Sequence, residues 1–259
     1  MSTPEDNRAF AIGLNRMDAL AKVQHLARAV QDQLRNGGYY GPCAIAGGYV
    51  RDVALGKNPK DLDVFLDGGF LREMGVSVTK LAEMLCLMFP GGTRVERTIP
   101  CYGGWATDID LVVKIDVAQS EGQTFTYLQG LPIPESIDLI VMRRSALEEH
   151  GYLNTLSLAT VSDTEMAQDF LSHVISRVDL RMNAIGATRD GPQWNPAWDY
   201  DALAQRLVVQ YARRHDKQER IDKRLERLCS EKFQGWTGLY EGPEGELSPV
   251  SFEEPALSE

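Results

Sequence analysis

The sequence lacks any apolar run long enough to cross a bilayer, which takes roughly 20 predominantly apolar residues. Its N-terminus, Met-Ser-Thr-Pro-Glu-Asp, has neither the basic nor the apolar region of a secretory signal. No membrane association and a cytoplasmic location are therefore expected. Cysteine is scarce: Cys43, Cys86, Cys101 and Cys229 are scattered, with no Cys-x-x-Cys pair, which argues against a disulfide framework or a thiolate zinc cluster and for buried free thiols. The four histidines, His25, His150, His173 and His215, are scattered through the chain, and a metal-dependent phosphohydrolase is the less favoured reading. Positive charge is short as well. With 27 Lys and Arg against 37 Asp and Glu, the net charge is −10, which speaks against a generally basic nucleic-acid binder but leaves room for a local basic patch.

What is present suffices for a globular core: 259 residues, 43% of them hydrophobic and 25% charged, enough for one large domain or two small ones. The densest chemistry lies between Ala44 and Leu66. Cys43–Ala46 reads as a short buried strand, Gly47-Gly48 ends it, and Val50, Val53 and Leu55 mark one face of a following helix. Backbone N–H groups at such a turn, at the positive end of a helix, can approach a phosphate chain, and Arg51 in the first turn adds charge. Gly56 stops the helix, Asn58-Pro59 turns the chain, and Asp61-Leu-Asp-Val-Phe-Leu66 reads as a second strand. Strand alternation puts Asp61 and Asp63 on one face. Two neighbouring carboxylates call for a cation, and a hard ion such as Mg²⁺ bridges carboxylate and phosphate oxygens. A lone Gly-Gly turn or a lone Asp-x-Asp is ordinary surface structure; the two together form a compound motif.

Gly47-Gly48-Tyr-Val-Arg51-Asp52 followed by Asp61-Leu-Asp63 resembles the signature of the DNA polymerase β-like nucleotidyltransferases, and more narrowly the bacterial poly(A) polymerase and CCA-adding tRNA nucleotidyltransferase branch. The resemblance covers about residues 40 to 205. It implies an α+β fold, a nucleotidyltransferase palm with a mixed, largely antiparallel sheet backed by helices, followed by a short helical neck and body. It also implies a third carboxylate on a neighbouring strand. Asp138, opening the apolar run Ile137–Met142 ahead of Arg143, is the choice, with Asp110 of Asp108-Ile-Asp110 as the competitor. Ser176-Arg-Val-Asp-Leu-Arg-Met-Asn-Ala-Ile185 resembles the family's Arg-Arg-Asp-Phe-Thr-x-Asn-Ala motif at Arg177, Asp179, Asn183 and Ala184, but not at Val178, Leu180 or Arg181. Alternatively, Asp179 and Asn183, four apart on a helix face, serve only to cap or pair with neighbours. Asn195-Pro-Ala-Trp198-Asp-Tyr-Asp201 loosely matches the segment leading to the helical body. The family's base-selecting acidic-x-x-Arg motif has no counterpart at the right spacing.

The organisation expected is a flexible segment over 1–13, a palm over 14–160, a helical neck and body over 161–232, and an acidic, disordered tail over 233–259. A packing helix is expected from Asn15 to Leu34, a second over Val78–Phe89, and strands over Asp108–Ile115, Thr124–Leu128 and Ser136–Met142. A long charged helix over 206–232 has a local basic excess and reads either as an RNA-tracking surface or as a solvated face. By the resemblance, Asp61, Asp63 and Asp138 bind metal and are catalytic, with two Mg²⁺ ions, while Gly47, Gly48, Arg51, Asp52, Arg177, Asp179 and Asn183 hold an NTP, ATP or CTP. The acceptor is then an RNA 3′ end, tRNA-like. The chain ends soon after the neck, so transfer to a protein or small molecule, a protein partner that supplies RNA, and a non-catalytic NTP- or RNA-binding scaffold stay open.

Overall fold

The computed structural model describes residues 3–88, 94–98, 108–117, 125–149, 162–211 and 218–250. Helix α1 (Pro4–Asn36) begins in a capping box: the Asp6 N–H donates to the Thr3 hydroxyl and the Thr3 N–H donates to the Asp6 carboxylate. With Pro4 and Glu5 in the first turn, this local chemistry starts the helix well before residue 13, so the expected loose N-terminus is corrected. Leu20, Val23, Ala27, Val30 and Leu34 form its buried stripe, and Gly38 at φ +97° turns the chain away.

The elements that follow are β1 (Cys43–Ala46), α2 (Gly48–Ala54), β2 (Asp61–Asp67), α3 (Gly68–Glu73), α4 (Val78–Cys86), β3 (Arg94–Thr98), β4 (Ile109–Asp116) and β5 (Ser136–Met142). After α5 (Arg144–Glu149) and α6 (Asp163–Ser176) come β6 (Ile185–Ala187) and β7 (Pro192–Trp194). These strands make one sheet in the order β3-β4-β5-β2-β1-β6-β7. Every pairing is antiparallel except β2 with β5. The α+β class and the mixed, largely antiparallel sheet are as expected. One strand is not: Thr126–Leu128 is a 3₁₀ turn, so β4 pairs directly with β5, and Thr124 lies outside the described residues.

The sheet is buried on both faces, and its alternation can be followed strand by strand. Cys43 and Ile45, Leu62, Val64 and Leu66, and Ile137, Leu139 and Val141 share one core with the stripe of α1. Ala44 and Ala46, Phe65, and Ile140 and Met142 face the other way, against Phe170, Leu171 and Val174 of α6. That second face is where the polar residues of β2 and β5 emerge.

The expected helical neck and body is only partly helical. Beyond α6, strands β6 and β7 extend the sheet, and α7 (Trp198–Leu203) leads into β8 (Arg206–Val209). Leu207, Val208 and Val209 are fully buried, and this β-branched apolar run makes a strand where a long helix was expected. Residues 212–217 lie outside the described set; helix α8 (Gln218–Arg227) then continues as a π-helical turn, Leu228–Lys232. The predicted disordered tail is also corrected for its first part. Here β9 (Thr237–Glu241) pairs parallel with β8 and antiparallel with β10 (Leu247–Pro249), and Phe233, Tyr240 and Val250 are buried. Residues 251–259 lie outside the described set. Among the described residues no helix is long and apolar enough to cross a membrane. Cys43, Cys86 and Cys229 are free thiols, and burial pushes the Cys43 thiol up to about 12; Cys101 falls outside the described residues.

Asp201, fully buried, joins these later elements. It accepts from Arg181 Nε at 2.9 Å and Nη2 at 2.7 Å, and from Arg206 Nε at 2.8 Å, while Arg181 Nη1 reaches Glu241 at 2.9 Å. Removing one partner of such a buried set leaves the opposite charges uncompensated. Asp201→Ala is expected to lower unfolding stability by about 3–5 kcal/mol, read as a lower denaturant midpoint at unchanged slope, with a smaller loss for Asp201→Asn.

Candidate active site

The parallel pairing of β2 with β5 sets Asp63 opposite Asp138 and Asp61 opposite Ser136, and β4 sets Lys114 opposite Asp138. These side chains share the face of Phe65, Ile140 and Met142. Helix α6 covers the apolar half of that face; the carboxylates occupy the other half, which opens onto a cleft. Ser136 Oγ donates to Asp61 at 2.6 Å, and the Lys114 ammonium lies 3.6 Å from Asp61 and 3.9 Å from Asp138. Burial, and next the neighbouring Asp138, push the Asp63 carboxyl up to about 8. An anion destabilised in this way is relieved by protonation or by a cation.

Gly47 makes the packing around Asp63 possible. At φ +96° it occupies backbone space that favours glycine, and an added Cβ would meet Asp63 Oδ2 at 3.0 Å. Its N–H donates to the Ile185 carbonyl at 3.1 Å, so only Gly48 of the glycine pair opens onto the cleft. The expected phosphate contact from Gly47 is corrected accordingly: its N–H is already spent inside the sheet.

Arg51 and Asp52 are likewise committed inward. Arg51 Nε and Nη2 reach Asp52 Oδ1 at 2.8 and 2.7 Å, Nη1 donates to Asn183 at 2.7 Å, and the guanidinium lies over the Phe233 ring. Asn183 in turn donates to Asp179 at 3.2 Å, Asp179 accepts from Arg224 at 2.6 Å, and Lys232 pairs with Asp52. One continuous polar chain thus ties α2 and the 179–183 turn to α8 and its π-helical extension. Asp179 and Asn183 do pair with each other, but across a 3₁₀ turn after α6 rather than on a helix face.

Above the carboxylates is a cleft of about 550 Å³. Gly48, Asp61, Asp63 and Asp138 line it together with Arg220, Lys223, Arg224, Arg227 and Lys232, and so do Lys60 and the Arg51–Asp52 pair. Seven cationic residues therefore meet four carboxylates in a chain whose net charge is −10.

The structure gathers Asp61, Asp63, Asp138, Gly48, Arg51 and Asp52 around this cleft, with Asp179 and Asn183 in the polar chain behind it. Arg177 is elsewhere. It donates to Asp108 at 3.0 and 2.6 Å beside Met142, Leu147 and His173, where it fastens the end of α6 to β4. Asp110 is elsewhere too, paired with Arg143 at 2.9 Å and Arg72 at 3.2 Å, so the geometry puts Asp138 and not Asp110 next to Asp63. From the sequence alone Lys114 and Lys60 are not singled out, and the basic residues of α8 read as an RNA-tracking or solvated face, not as a wall of this cleft. A lysine inside the apolar run Leu111-Val-Val-Lys-Ile115 was a signal for the first.

Among the described residues no group of three or more His, Cys, Asp or Glu side chains is gathered tightly enough to hold a metal ion as it stands. The donor set nevertheless suits a hard divalent ion: every ligand atom on offer is a carboxylate oxygen, and the ionised form of Asp63, disfavoured by burial and by Asp138, is one that a cation would stabilise.

No family model matches the chain, and no curated protein matches its sequence. Among solved structures it is similar to a CCA-adding enzyme in an apo form, at 15% identity over 85% of this chain and 39% of that one, with a TM-score of 0.47. It is also similar to a CCA-adding enzyme with CTP, at 16% identity over 82% of this chain and 40% of the other, TM-score 0.45. The Bacillus stearothermophilus CCA-adding enzyme in complex with CTP gives 16%, 84%, 40% and 0.40 for the same measures. The chain spans 39–40% of the length of these structures. Likeness at this level assigns no residue a role.

The Asp63 proton is held more tightly in the folded chain than in the unfolded one. This stabilising contribution is complete below the ordinary carboxylate pKa and is lost as pH rises through about 8. In the presence of chelator, the wild-type protein is therefore expected to lose stability relative to Asp63→Asn between pH 5 and pH 8.5. Thermal unfolding of both proteins at the two pH values checks this; a gap independent of pH would contradict it.

Proposed function

We propose that the chain is a divalent-metal-dependent nucleotidyltransferase of the DNA polymerase β-like kind, transferring NMP from an NTP to an acceptor hydroxyl with release of pyrophosphate. The observation that carries this reading is the in-register pair Asp63–Asp138 on adjacent parallel strands, in a cleft that cations also line. Clustered carboxylates serve no purpose in a scaffold that binds an anionic nucleotide, since by themselves they repel it; with a divalent ion they attract it. This weighs against the non-catalytic alternative.

In this mechanism Asp61, Asp63 and Asp138 would hold Mg²⁺, two ions in the full arrangement. When bound, Mg²⁺ supplies charge that favours the acceptor oxygen as a nucleophile and neutralises the departing pyrophosphate. The strands contribute rigidity: the carboxylates stand on the sheet, so little reorganisation accompanies reaction. Gly48 lets the triphosphate lie close to the backbone. The acceptor oxygen bonds to the α-phosphorus in line, the bond from that phosphorus to the bridging oxygen breaks, pyrophosphate leaves, and the hydroxyl proton passes to solvent.

For the acceptor, the motif resemblance favours an RNA 3′ end, tRNA-like, with ATP or CTP as donor. The net charge of −10 fits weak autonomous RNA affinity and a protein partner that helps deliver the RNA. A cytoplasmic location goes with such a substrate.

The test is incubation of the protein with each α-labelled NTP, Mg²⁺ and total cellular RNA plus protein extract, followed by separation of labelled species. Label on tRNA-sized RNA is expected, and it should vanish in Asp61→Ala/Asp63→Ala. Asp138→Ala should lose about 100-fold or more in rate, the scale of removing one electrostatic contributor, whereas Asp110→Ala should stay near wild type. Label on protein or small molecules would keep the reaction and replace the acceptor; no label with any NTP would overturn the proposal.

A further inference from the structure

The commitment of Arg51 to Asp52 and Asn183 removes the cation that the motif offers for a phosphate chain. Its side chain is 4% exposed, and the face of its guanidinium is covered by Phe233. Charge for a polyphosphate must then come from another element. Helix α8 carries Arg220, Lys223, Arg224 and Arg227 at spacings i, i+3, i+4 and i+7, which is one helical face. All four line the cleft together with Asp61, Asp63 and Asp138.

That face is held in position. Ile221, Leu225 and Leu228, on the adjacent face of the helix, are part of the main core, so the basic side cannot roll away without exposing them. Three polar ties fix the helix further: Asp222 with the Tyr240 hydroxyl of β9, Arg224 with Asp179, and Lys232 with Asp52. Arg224 is already neutralised by Asp179. Arg220, Lys223 and Arg227 are solvent-exposed and line the cleft, and the Lys223–Glu219 pair is itself exposed and weak.

Resting on the nucleotidyltransferase reading, we propose that the basic face of α8 is the polyphosphate subsite. Arg220, Lys223 and Arg227 grip the β- and γ-phosphates of the nucleoside triphosphate, leaving its α-phosphate over the carboxylates. Arg224 is a positioning residue that fixes the helix through Asp179. A nucleotide fits this surface better than an RNA backbone does. The three cations converge on a concave space of about 550 Å³, a volume within the usual range of roughly 300–1,000 Å³ for small-ligand sites. From Arg220 to Arg227 the helix rises only about 10 Å. The rest of the chain is acidic, and its field opposes a long polyanion more than a short one.

The direct test is calorimetric binding of inorganic tripolyphosphate, with chelator and then with Mg²⁺, alongside NTP binding. The proteins are wild type, Arg220→Gln/Lys223→Gln/Arg227→Gln, and a charge-matched control, Arg8→Gln/Lys57→Gln/Lys80→Gln, altered at exposed positions away from the cleft. Unchanged far-ultraviolet circular dichroism and melting temperature establish that the variants fold. The α8 triple variant is expected to bind tripolyphosphate at least about 10-fold more weakly, the loss of one or two charge-assisted contacts, with NTP KM raised more than kcat falls. The control should match wild type. Asp61→Asn/Asp63→Asn should keep metal-free tripolyphosphate binding while losing transfer, which separates this proposal from the transferase reading. Equal tripolyphosphate affinity in wild type and the α8 variant would overturn it, as would no tripolyphosphate binding by wild type. In each of those cases label transfer still judges the transferase reading on its own.

Discussion

Asp63 and Asp138 face each other across the one parallel pairing in the main sheet, and much of the neighbouring structure is a response to that juxtaposition. Two carboxylates pressed together in a partly desolvated site disfavour their own ionisation, as the raised Asp63 pKa shows. The fold tolerates this by placing positive charge nearby at several points: Lys114 from β4, Arg224 from α8, and the remaining cations of the cleft wall. Gly47 gives the Asp63 carboxylate room by having no side chain. A cation entering such a site would relieve the repulsion.

The second organising feature is the polar chain from Lys232 through Asp52, Arg51, Asn183 and Asp179 to Arg224. Its members alternate in charge or donor character, so each buried group is satisfied by the next. The chain connects three stretches far apart in sequence and fixes α8 over the carboxylates. Residues that look from the motif like ligand contacts therefore act largely as struts. The cleft acquires its cations from a helix that the motif does not include.

The legible part of the sequence was the part governed by local rules. The Gly47-Gly48 break, the short α2, the Asp61–Asp63 alternation and the apolar strand around Asp138 follow from periods of 3.6 and 2 and from turn residues. Of Asp138 and Asp110, the register sets Asp138 beside Asp63. What could not be read was tertiary. Whether Arg51 points to solvent or to Asn183 depends on a residue far along the chain. The acidic composition after Phe233 suggested disorder, yet alternate burial of Gly238 and Tyr240 beside β8 is enough to make a strand. In the same way the basic excess of residues 206–232 concealed a buried strand, Leu207–Val209, and a helix whose charges converge on the cleft.

The central claim, that the paired carboxylates form a divalent-ion site completed by a triphosphate, is tested most directly by Mn²⁺ binding followed through the loss of the free-ion paramagnetic resonance signal, with and without a non-hydrolysable NTP. Saturable Mn²⁺ binding that tightens when the nucleotide is added, and that disappears in Asp63→Asn/Asp138→Asn, is the predicted result. Binding that is unsaturable, indifferent to the nucleotide, or unchanged in the double variant would contradict the claim.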